Sequence, residues 1–145
     1  MGEGHTVISL VSMPRTVEII RYFHQQGIEL PAQASDGREP TVADVRSALR
    51  ELEGYNVTYS ERGDSLDIDL VHPSIDPSSS TRPAGADWAV IWIRNYKGPK
   101  FENSPCDLYF HRGTQELVVT IVRALARRCG PFIVMLYNER PLLVT

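Results

Sequence analysis

His111 and Arg112 stand directly before Gly113 and Thr114, where an alternating apolar run gives way to helical spacing. The first amides of a helix point at whatever lies ahead of them, and with the helix dipole they hold anions. An imidazole at such a mouth can act as an acid, and a guanidinium can clamp a phosphate or carboxylate. His111 and Arg112 are therefore candidate anion-binding residues, with His24 and His72 as candidate helpers. No wider catalytic pattern surrounds them. The chain has no glycine-rich phosphate loop, no Gly-x-Ser-x-Gly elbow, no His-Glu-x-x-His pair and no dinucleotide fingerprint.

A second group is acidic. Asp64, Asp67 and Asp69, with Glu61, carry oxygen ligands of the kind a hard cation takes, but the twelve-residue calcium-loop pattern is missing. Asp67 and Asp69 alternate with Leu66, Ile68 and Leu70, as the wet side of a strand does. The same acids suit a basic protein partner, because complementary charge speeds encounter without special geometry. Arg62-Gly63-Asp64 matches an adhesion tripeptide, yet Gly63-Asp64 is ordinary hairpin-turn chemistry. Asn56-Val57-Thr58 matches a glycosylation sequon that is expected to stay unmodified in a chain without a signal segment.

Trp88, Trp92 and Tyr96 form the third group, separated by Val90 and Arg94. Three readings are open: core packing beneath a helix, a ligand platform, or, if either tryptophan is exposed, a partner interface. The candidate partner-binding residues are accordingly Asp64, Asp67, Asp69, Trp88 and Trp92. Cys106 and Cys129 lie in no Cys-x-x-Cys pair and no zinc-like spacing, and are expected to be free, buried thiols. No catalytic residue, metal or cofactor is assigned.

The elements that must position these groups follow from periodicity. Residues 6–12 are rich in β-branched side chains and predict a strand. Pro14 and Thr16 open a helix with Val17, Ile19, Ile20 and Phe23 on its apolar face, ended by Gly27. Thr41 to Asp44 reads as a capping box, and Val42, Val45, Ala48, Leu49 and Leu52 carry a second helix to Gly54. Residues 55–59 and 66–70 alternate around a turn and predict a hairpin. Residues 72–86, rich in Pro, Ser and Gly, are expected to form a mobile loop. Residues 87–96 predict a strand apolar on both faces. Residues 106–110 predict another, followed by a Thr114-capped helix whose stripe is Leu117, Val118, Ile121, Val122, Leu125 and Cys129. Gly130-Pro131 stops that helix, residues 132–137 form a further strand, and residues 142–144 a short last one.

This order predicts a single α+β domain over residues 1–145, mainly an antiparallel sheet with about three helices packed on one face. A chain of 145 residues with 42% hydrophobic content suits one core. The net charge of −3 argues against a nucleic-acid backbone as partner. No segment approaches the roughly 20 apolar residues that span a bilayer, so a cytoplasmic protein without membrane contact is expected.

The closing run Asp107-Leu-Tyr-Phe-His-Arg-Gly113, Glu116-Leu-Val-Val-Thr-Ile-Val-Arg-Ala-Leu-Ala126 and Cys129-Gly-Pro-Phe-Ile133 resembles small immunity proteins of bacterial contact-dependent and polymorphic toxin systems. The resemblance lies within residues 107–133 and rests on scaffold residues. It implies a non-catalytic, cytoplasmic α+β protein that binds and neutralises a cognate toxin, and it transfers no site residue. The alternative expectation is a small enzyme or ligand-binding domain with its anion site at His111 and Arg112.

Overall fold

Alternation of apolar and polar residues builds most of the sheet, and side-chain caps fix the helices. The computed structural model describes residues 4–11, 13–30, 37–72, 88–136 and 139–145. Its elements are β1 (His5–Ser9), α1 (Val17–Gln25), α2 (Val42–Arg50), β2 (Asn56–Arg62), β3 (Ser65–Val71), β4 (Trp88–Arg94), β5 (Asp107–Arg112), α3 (Gln115–Cys129), β6 (Phe132–Met135) and β7 (Leu142–Val144). A 3₁₀ turn, Pro99–Phe101, lies between β4 and β5. The expected loop at residues 72–86 falls, except for His72, outside the described residues.

Each helix starts on a hydroxyl that accepts one of the otherwise orphaned first-turn amides. Thr16 accepts from the Ile19 amide, and Thr114 from that of Leu117. Thr41 and Asp44 make the reciprocal pair, with the Asp44 carboxylate accepting from the Thr41 amide at 2.9 Å. Ahead of α2, the Arg38 amide donates to the Cys129 carbonyl and the Cys106 amide to that of Pro40. This strap joins the end of α3 to the start of β5. Gly37 begins it where a Cβ would lie 2.3 Å from the Cys129 carbonyl oxygen, so only glycine fits the crossing.

The fold is a single α+β domain with one seven-stranded sheet, ordered β2-β3-β4-β5-β1-β6-β7, and every pairing is antiparallel. The strand nearest the start of the sequence is thus central, between β5 and β6. Leu66, Ile68, Leu70, Ile91, Ile93, Phe110, Phe132 and Val134 point to one face, where α2 and α3 bury them. Burying each such side chain stabilises the fold by about 1.5–3 kcal/mol relative to exposure.

Helix α1 departs from the expected shared face. Phe23 packs with Leu10, Met13, Ile28 and Ile133, and Ile133 alternates with the core residues Phe132 and Val134 on β6. Successive strand residues face opposite ways, so α1 covers the other side of the sheet at β1 and β6. Its inward line is the half-buried Ile19 and the buried Phe23, while Val17 and Ile20 remain 65% and 42% exposed. The half of that side formed by β2, β3, β4 and β5 carries no helix among the described residues.

Candidate functional site

That uncovered half gathers four of the five candidate partner-binding residues, Asp67, Asp69, Trp88 and Trp92, and both candidate anion-binding residues. Strand pairing sets Asp67 opposite Trp92 and Asp69 opposite Val90, and Trp92 in turn lies opposite Tyr109. The inward neighbours Leu66, Ile68, Ile91, Ile93, Leu108 and Phe110 are buried, which pins the register and keeps the alternate residues outward.

His111 and Arg112 share this face because β5 carries a bulge. Ile91 pairs with Phe110, but Val90 pairs with Arg112, so His111 is an extra residue in the ladder. Its ring lies over Trp92, centroids 4.0 Å apart and planes 10° from parallel. The Arg112 guanidinium sits 5.2 Å from the centre of the Trp88 ring. Trp88 Nε1 donates to Asp69 Oδ1 at 2.7 Å, and Arg62 pairs with Asp67 at 3.2 Å. Two rows therefore cross the sheet, Asp67-Trp92-His111 and Asp69-Trp88-Arg112, each an acid, an indole and a cationic or titratable group.

Trp88, Val90, Trp92, Tyr109 and His111 are half-buried and Arg112 is exposed. The tryptophans do not pack beneath α2 or α3. Tyr96, expected beside them, leaves the line: Asn95 adopts φ 62°, and Tyr96 is buried in the helix-covered core, where its hydroxyl donates to Glu102. Asp64 stands apart at the hairpin tip, exposed, with its backbone carbonyl accepting from the Tyr96 amide. Asp67 and Asp69 engage separate partners, and among the described residues no group of three His, Cys, Asp or Glu side chains is arranged for a metal ion. Tyr109 and Val90 complete the face without having been singled out in the sequence.

The helix mouth is occupied by the chain itself. Thr114 takes the Leu117 amide, and His5 Nε2 lies 3.2 Å from the Gly113 carbonyl. The expected helpers do not converge on it. His24 pairs with Glu29 on the exposed side of α1, and His72 packs edge-on against Tyr55 at 5.4 Å.

A separate cleft of about 300 Å³ opens where β1 and β5 part after pairing only at His5–Phe110 and Thr6–Tyr109. Ser9, Glu39, Arg94, Asp107 and Phe132 help line it. Nearby, burial alone would raise the Asp44 carboxyl, but the Arg38 guanidinium and the Thr41 amide and hydroxyl hold it well below the usual carboxylate range. Cys106 and Cys129 are free thiols, half-buried and buried respectively. Desolvation, reinforced by neighbouring acids, pushes them up to about 12 and about 11. Neither is a ready nucleophile.

No family model matches the chain, and no curated protein or solved structure matches it. Among the described residues no helix is long and apolar enough to cross a membrane.

Proposed function

We propose that this chain is a non-catalytic protein-binding domain whose contact surface is the sheet face carrying Asp67, Asp69, Trp88 and Trp92. One observation carries the reading: two half-buried tryptophans, each flanked by an acid and a cationic or titratable side chain, share a sheet face that no described helix covers. Tryptophan and arginine contribute disproportionately to interface energy, and acids beside them add selectivity for a basic partner. In its most specific form the partner is a bacterial toxin that the domain neutralises in the cytoplasm. That step is supported by the resemblance of residues 107–133 to immunity proteins.

Co-expression with the product of the adjacent gene, and pull-down from the native host, test both levels. A stable complex is expected, with protection from toxicity when the partner is a toxin. Trp92→Ala and Trp88→Ala are each expected to weaken the complex by tenfold or more, on the order of a hot-spot loss. Failure to find a complex, or wild-type binding by both variants, overturns the reading.

The bulge that brings His111 and Arg112 to one face supports a second reading, a small-anion site. Phosphate-dependent thermal stabilisation that Arg112→Ala abolishes would favour it over the first.

A further inference from the structure

Among the described residues the sheet ends on one side in β7, a three-residue strand, and on the other in β2, a seven-residue strand exposed at every position but Val57. The β2 sequence Asn-Val-Thr-Tyr-Ser-Glu-Arg holds no proline and no lysine, the residues that commonly blunt an edge. Its hairpin fixes which backbone groups β3 leaves unbonded. Arg62 and Ser65 flank the two-residue turn and form the closing bonded pair, so by alternation Asn56, Thr58, Ser60 and Arg62 bond to β3. The amides and carbonyls of Val57, Tyr59 and Glu61 then point away from the sheet. An edge of this kind is a template for another strand.

Charge identifies the strand that fits. Tyr59, Val57, Arg46 and Arg50 line a groove between β2 and α2, with the Arg46 guanidinium 4.4 Å from the Tyr59 ring centre. Arg46 is already paired with Glu102 at 2.5 Å. Among the described residues Arg50 donates to the Arg46 carbonyl, and neither Arg50 nor Glu61 forms an ion pair. A strand laid antiparallel on β2 with Tyr59 on a twofold axis pairs all of β2 with itself. It sets Tyr59 beside Tyr59, Thr58 beside Ser60, and Glu61 of each strand beside Val57 of the other, at the edge of the groove that holds Arg50. The unused acid and the unused base of one chain are thereby complementary to those of a second copy.

We infer that β2 is a self-association edge through which two copies join their sheets about Tyr59, with Glu61 of each copy meeting Arg50 of the other. This interface is isologous and does not use the tryptophan face, so it stands or falls apart from the partner-binding reading.

Sedimentation velocity of the full chain over a concentration series tests it, with circular dichroism as the check on folding. A reversible dimer is expected for the wild type. Glu61→Pro removes one outward amide without touching the β3 ladder and is expected to give a monomer. Glu61→Arg and Arg50→Glu singly are each expected to raise the dimer dissociation constant roughly tenfold, because every broken pair occurs twice, and the double exchange to restore it. A wild type that stays monomeric, or a dimer that all of these variants leave intact, overturns the inference.

Discussion

His111 lies flat on Trp92, 4.0 Å between ring centroids, although the two are on different strands and His111 is the surplus residue of a bulge. The stack is a packing contact on a half-buried face, so it contributes to stability as well as shaping the surface. A double-mutant cycle on Trp92→Ala and His111→Ala is expected to show a coupling energy of about 1 kcal/mol in urea unfolding. Additive effects would mean that the rings do not interact in solution.

Asp44 is expected to make stability acid-sensitive. Its folded carboxyl titrates below the usual range, so its stabilising contribution is complete above the unfolded value of about 3.9 and is lost as pH falls through and below it. Urea midpoints measured from about pH 6 down to about pH 2 should fall less steeply for Asp44→Asn, which cannot titrate and keeps a capping side chain. At neutral pH, Asp44→Ala is expected to cost about 2 kcal/mol, with loss of the cap as the main part because Arg38 is half exposed and screened.

Both thiols are expected to be silent in the native state. With Cys106 raised to about 12 and Cys129 to about 11, thiolate is scarce near neutral pH. Alkylation followed by mass spectrometry should label neither cysteine in buffer and both in denaturant. Rapid native labelling of Cys106, the less buried of the two, would contradict the raised value.

Arg15 presents the opposite case from Asp44. Among the described residues its Nε and Nη1 are buried without a hydrogen-bond partner, while Nη2 reaches the Leu10 carbonyl at 3.3 Å. An unsatisfied buried donor costs about 1–3 kcal/mol. Arg15→Met keeps the length of the side chain and removes the orphaned donors, so it is expected to raise the urea midpoint. A fall of the midpoint would show that the guanidinium contributes more by packing than it loses by desolvation.

Features set by neighbouring residues were legible in the sequence, and those set by distant ones were not. The Thr41–Asp44 capping box, the turn at Gly63-Asp64 and the apolar stripe of α3 depend on spacings within a few residues, and all three are present. The outward placement of Asp67 and Asp69 followed from the same alternation. Val17, Ile19, Ile20 and Phe23 form too broad an apolar surface for spacing to choose a side, and the sheet selects Ile19 and Phe23. The gathering of His111 with Trp92 was hidden because a bulge adds one residue to an alternating run, and two adjacent polar residues give no sign of which is extra. Tyr96 was misplaced for a related reason, since the left-handed turn at Asn95 breaks the period after Arg94.

The position of β1 between β5 and β6 also has a temporal side. His5 and Gly113, which touch across this junction, are 108 positions apart. During synthesis at about 5–20 residues per second, β1 must wait roughly 5 to 20 seconds before β5 leaves the ribosome. Throughout that interval the hairpin β2–β3 can form but the middle of the sheet cannot, so an early strand of the protein is among the last to find its neighbours.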